Sequence, residues 1–140
     1  MITNVAQAVA DMLNGHEFST PFTAERVALP EFDLADMQDL HVTVVPRQVE
    51  STTLDRGRDN HDVKVDVAIQ KKVASVANDE IDPLMALVRE IADYLNRRPL
   101  AEVGAVWRKT ENAPVYSPEH LREMRQFTSV LTVTYRVVRP

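Results

Sequence analysis

A chain of 140 residues, 44% apolar and 26% charged, has the make-up of one ordinary globular domain and can bury a core without covalent staples. It has no cysteine, which excludes disulfides and thiolate zinc sites and fits a reducing compartment. A formal net charge of −5 argues against a DNA-coating role, and no run of about 18 apolar residues is present to span a membrane.

The first segment, "MITNVAQAVADML", lacks a basic leader and a long apolar stretch, so it does not read as a secretory signal. Residues 3–14 predict a short helix capped by Thr3 or Asn4, with Val5, Val9, Met12 and Leu13 near one face and Asn14-Gly15 as its stop. Residues 18–30 are bracketed by prolines and read as extended. Pro21 is awkward in a central strand, so a strand is expected after it, near a sheet edge. "EFDLADMQDL" is a polar connection in which Phe32, Leu34 and Met37 suit a helical turn. "HVTVVP" (41–46) is rich in β-branched residues and predicts a strand that stops at the proline. Residues 61–74 alternate cleanly: Val63, Val65, Val67 and Ile69 face one way, and Asp62, Lys64, Asp66 and Gln70 the other. That is the pattern of a strand wet on one side.

Residues 78–98 carry the clearest helical signal. Ile81, Leu84, Leu87, Val88, Ile91 and Leu95 form an apolar stripe, Asp79 or Asp82 can cap the start with Pro83 at a first helical position, and Arg97, Arg98 and Pro99 close the end. Residues 103–110 predict a strand. "ENAPVYSPEHLREM" reads as a long loop with a helical turn after Ser117-Pro118. In the last run, 125–138, Phe127, Leu131, Val133, Tyr135 and Val137 alternate with Thr128, Thr132, Thr134 and Arg136. The order helix, three strands, helix, two strands predicts a single α+β domain over residues 1–140. Its sheet is mainly antiparallel, with about four to five strands, and two helices pack on one face.

Chemistry-bearing motifs are sparse. With three glycines the chain has no phosphate-binding glycine loop, and it has no Gly-x-Ser-x-Gly turn. His16, His41, His61 and His120 are scattered without ligand-type spacing. The one dense polar cluster is "STTLDRGRDNHD" (51–62). Asp55, Asp59 and Asp62 offer oxygen ligands, but the near-alternate spacing and closing glutamate of a calcium loop are missing, and Arg56 and Arg58 oppose a cation. The flanking β-like runs make residues 50–61 the flexible tip of a hairpin, with Gly57 free to take positive φ, either simply solvated or touching a partner. Trp107 beside Arg108 can be read as a stacking-plus-charge pair for nucleic acid, although a lone tryptophan in a strand is more often core or interface. Arg122, Arg125, Arg136 and Arg139 make the last quarter basic. They read as solvating a sheet face or pairing with a neighbour's carboxylates. Residues 1–96 hold 8 Lys/Arg and 17 Asp/Glu, giving −9, and residues 97–140 hold 8 and 4, giving +4. The asymmetry is either surface patterning or a pair of complementary faces for head-to-tail association.

Four segments, "FSTPFTAERVALPEFDLADMQDLHVTVVP" (18–46), "VDVAIQKKV" (65–73), "EIDPLMALVREIADYL" (80–95) and "FTSVLTVTYRVVR" (127–139), together resemble the tail-completion proteins of tailed phages and prophages, the tail terminators of the neck. The resemblance rests on element order over nearly the whole chain. It implies a small α+β subunit that closes into a ring, expected to be hexameric. Such a ring caps the tail-tube protein, stops its polymerisation, meets the head-completion or connector protein and lets DNA pass without sequence-specific contact. It implies a location in the virion neck, in the host cytoplasm during assembly, with no enzyme activity, cofactor, metal or membrane. The alternative is another neck component, a head-completion (stopper) protein or minor tail protein. The expected partner contacts are Asp55, Arg56, Arg58, Asp59 and His61 at the hairpin and Arg122 and Arg125 in the basic part.

Overall fold

A computed structural model describes residues 1–28 and 38–140. The helical turn expected around Phe32, Leu34 and Met37 lies outside the described residues. The elements are helix α1 (Ile2–Asn14), strands β1 (Ala24–Arg26), β2 (His41–Asp55) and β3 (Arg58–Lys72), helix α2 (Asn78–Leu95), strand β4 (Ala105–Glu111), helix α3 (Pro118–Met124) and strand β5 (Gln126–Arg139). A 3-10 turn, Ala101–Val103, precedes β4, and Gly104 follows it in the left-handed region at φ 64°. The expected α+β class holds. The five strands form one sheet in the order β1-β2-β3-β5-β4, antiparallel at every junction except β1 with β2, which is parallel.

The alternation read from the sequence sets the faces of the sheet. Val63, Val65 and Val67 of β3 stand opposite Tyr135, Val133 and Leu131 of β5. Val42 and Val44 of β2 stand opposite Ile69 and Val67. Those side chains, with Phe127, form the strand half of one core cluster. Val5, Val9 and Leu13 of α1 and Ile81, Leu84, Leu87, Val88, Ile91 and Leu95 of α2 form the helical half. The apolar stripe of α2 is therefore the stripe expected, and both long helices lie on one face. α1 packs over β1, β2 and β3, and α2 over β5. Tyr135 is fully buried in this cluster, and desolvation pushes its hydroxyl pKa far above the ordinary value.

Local boundaries differ from expectation for identifiable reasons. α1 begins at Ile2, with Met1 at the cap position and no side-chain cap, so neither Thr3 nor Asn4 serves. α2 begins at Asn78, which places Asp79 and Glu80 in its first turn and Pro83 inside the helix. Glu80 reaches back to accept from the Ala74 amide (2.9 Å) and anchors the connection from β3. The helix stops at Leu95, because Arg97 takes φ 60° and Arg98 folds back, donating to the Tyr94 carbonyl with its guanidinium 4.1 Å from the Tyr94 ring. The turn expected after Ser117-Pro118 is the short helix α3, whose cap is the Ser117 hydroxyl accepting from His120.

Candidate functional site: a three-stranded arm and its open edges

The largest departure from the sequence reading lies in residues 47–62. β2 does not stop at Pro46. An irregularity between Pro46 and Gln48 lets the strand continue to Asp55, paired with β3 throughout. A proline is tolerated at such a shift because the ladder is already interrupted there. The hairpin tip expected over 50–61 is therefore strand on both sides, joined at Asp55↔Arg58 by a turn of Arg56 and Gly57. Gly57 does not use the left-handed region, and a Cβ there would meet nothing within 4 Å. The turn is held by Asp55 instead. Its carboxylate accepts from the Gly57 amide (3.0 Å) and from the Arg58 guanidinium (2.6 and 2.9 Å). The Arg58 hydrogen bond, then the Gly57 amide, keep the Asp55 carboxyl below the usual carboxylate range.

Beyond the irregularity every residue of β2 from Arg47 to Asp55 is exposed. The segment extends about 30 Å at strand rise. β5 accompanies β3 to the end of this arm, with Asp59 opposite Arg139. β1 covers β2 only from Val42 to Val44, with the Val27 amide adding a bond to the Val44 carbonyl, so among the described residues the outer edge of β2 has no strand beside it beyond that point. β1's own outer side is treated differently. The Asn14 side chain accepts from the Ala24 amide (2.7 Å) and donates to the Ala24 carbonyl (2.9 Å), and Arg26 donates to Gln7 (3.1 Å). The carboxamide of Asn14 thus acts as a substitute strand.

The helix-free face of the sheet is polar and internally paired. Arg136 grips Asp62 with two hydrogen bonds (2.9 and 3.2 Å), and this pairing holds the Asp62 carboxyl below its ordinary value. Arg47 donates to Asp66 (3.2 Å) and to Thr132 (3.1 Å), and Thr132 donates to Asp66 (2.8 Å). Lys109 pairs with Glu111 at 3.0 Å. Both signs are present, and these pairs neutralise one another.

The far edge of the sheet is β4. An irregularity between Trp107 and Lys109 skips Arg108 in the pairing with β5. Trp107 is half-buried, and its indole N–H donates to Thr110 (3.0 Å). It lines a groove of about 610 Å³ between β4 and α2, with Met85, Ala92, Val115 and the Arg89–Asp93 ion pair. Among the described residues, no strand lies on the outer side of β4.

The residues expected to meet a partner are not brought together as one set. Asp55, Arg56, Arg58, Asp59 and His61 sit on the outer arm. Arg122 lies on α3, and Arg125 caps it in the left-handed region, where its carbonyl accepts from the Val73 amide (2.7 Å). The register places α3 at the start of β5 and the arm at its end, roughly 40 Å apart. Asp59 and Asp62 project to opposite faces of β3, while Asp55 and Asp62 are already paired with arginines. Among the described residues no three such groups converge as a metal site would require. His61 Nδ1 lies 2.6 Å from the Ser51 hydroxyl across the arm. No carboxylate among the described residues bonds its other ring nitrogen.

Sequence reasoning missed the Asn14 substitute strand, the free edge of β2 and the groove at Trp107. The signal for the second was present: "QVESTTL" is β-prone and follows a proline that looks like a stop. No helix among the described residues is long and apolar enough to cross a membrane. No protein-family model matches the chain, and no curated protein matches it. Fold and surface together define a single α+β domain that presents a long β arm.

Proposed function

We propose that this chain is a structural subunit of a tailed-phage neck, a tail terminator. Its copies close into a ring, expected to be hexameric, on the last layer of tail-tube protein. The observation that carries the reading is the three-stranded arm. A domain of this size gains no core from extending β2 through nine exposed residues, Arg47 to Asp55, and such an extension suits contact with another subunit. The resemblance of element order across the chain supplies the assembly. The helix-free face suits the inner wall of a DNA conduit, since carboxylates pair with three of its basic side chains and weaken its grip on a phosphate backbone. On the outside, the ring meets the head-completion or connector protein.

Purified virions and tail assembly test this directly. The chain is expected in the particle at the head-proximal end of the tube, seen by electron microscopy as a ring, and its loss is expected to give overlong tubes. Tubes of normal length with leaking heads would assign it to the stopper position. Absence from virions would overturn the neck assignment.

A further inference from the structure

We propose that copies join by strand addition. The outer edge of β2 (residues 47–55) in one copy pairs with the free edge of β4 (residues 106–111) in the next, making the sheets continuous head to tail. This rests on the ring reading and specifies its interface.

The pairing inventory singles out these two edges. β3 and β5 are interior strands, and on the outer side of three-residue β1 Asn14 takes the Ala24 amide and carbonyl. Among the described residues the outer half of β2 and β4 from Val106 onward remain, one on each side of the sheet; at Ala105 the outer side is taken by Leu100, which exchanges two backbone hydrogen bonds with it (2.9 and 3.1 Å). Soluble proteins blunt such edges with proline, inward charges or covers, because unpaired strand groups recruit other chains. "QVESTTL" has one charge, no proline and a strong β composition, so it is a weakly guarded edge. The side chains beside the two edges are apolar where solvent would favour polar ones: Val49 is 39% exposed, Leu54 45% and Val106 58%.

The faces also agree. Val49 stands opposite Val63, and Trp107 opposite Tyr135, so both belong to the helix-bearing face. In-plane continuation of the sheet keeps that face on one side of the assembly. It sets Val49 of one copy beside Trp107 and the groove of the next. Charge complements as well. Segment 47–55 holds Arg47 against Glu50 and Asp55, a net −1, while 105–111 holds Arg108 and Lys109 against Glu111, a net +1. Pairing β2 with β2 about a two-fold axis would oppose like segments and leave β4 open. The heterologous contact uses both edges and closes when its rotation divides a full turn.

Val49→Asp blocks one edge and Val106→Asp the other. Both positions are exposed, and circular dichroism and melting are expected to match the parent. Sedimentation of each variant, alone and with purified tail tubes, is expected to show loss of the ring. An equimolar mixture is expected to form a heterodimer and stop there, because each variant retains the edge the other lacks. Hydrogen exchange of the parent is expected to slow at least tenfold at 47–55 and 106–111 on assembly. A Val106→Asp variant that dimerises by itself would point to β2–β2 pairing and overturn the proposal. Rings from either variant, or two monomers in the mixture, would overturn it while leaving the ring reading intact. A parent that never assembles, alone or on tubes, would remove both.

Discussion

Asn14 and Asp62 show two different uses of a polar side chain in this molecule. Asn14 replaces a strand, meeting both the amide and the carbonyl of Ala24, and without it those groups lose their partner at a part-buried site. Asn14→Ala is expected to destabilise the fold by about 1–3 kcal/mol, the cost of leaving backbone groups unsatisfied, as measured by urea denaturation. Asp62 forms a bidentate pair with Arg136 whose two side chains are 29% and 32% exposed, so its contribution is limited to about 1 kcal/mol. Its depressed pKa fixes the direction of the pH effect. The stabilisation is complete above the ordinary carboxylate value of 3.8 and fades as the pH falls through the lower folded value. Asp62→Asn is expected to lower the melting temperature at neutral pH. The gap to the parent is expected to shrink as the pH falls below about 3.8, and melting curves across that range check it.

Helix α2 was legible because its stripe repeats at the helical period, and a period needs no knowledge of the rest of the chain. Leu87 and Ile91 are 1% and 0% exposed beneath it. Leu87→Asp or Ile91→Asp buries an unpaired charge and is expected to unfold the domain, a loss of several kcal/mol, visible as lost cooperative melting. Strands β3 and β5 were equally legible through their alternation, except that Gln70, expected on the wet face of β3, is buried. β2 was only half legible. Its buried inner part alternates against the core, but its outer part faces solvent on both sides and carries no hydrophobic period to read. Pro46 then looked like an end, although the irregularity beside it lets the strand continue. β1 is three residues long, and its parallel pairing depends on where α1 delivers the chain, which no local pattern encodes.

As a whole, the molecule carries a net negative charge and mixes both signs in ion pairs on its helix-free face. The net −5 and the internally paired helix-free face are expected to leave it without measurable affinity for duplex DNA at physiological salt. Fluorescence anisotropy with a labelled duplex checks this, and micromolar binding would contradict the role of a passive conduit. The candidate contact residues show the same limit of sequence reading. Asp55 to His61 are neighbours in sequence and remain neighbours on the arm. Arg122 and Arg125 were grouped with Arg136 and Arg139 by composition alone, yet the fold sends the first pair to one end of β5 and the second pair to the other.

By itself the sequence determined the secondary elements with a buried face, the α+β class, the core side chains and the absence of thiol chemistry, because burial imposes a period that can be read locally. The tertiary structure decided the strand order, the parallel edge strand, the length of the arm and which edges stay open. Those features depend on which distant segments share hydrogen bonds, and an exposed strand leaves no hydrophobic period behind to announce them.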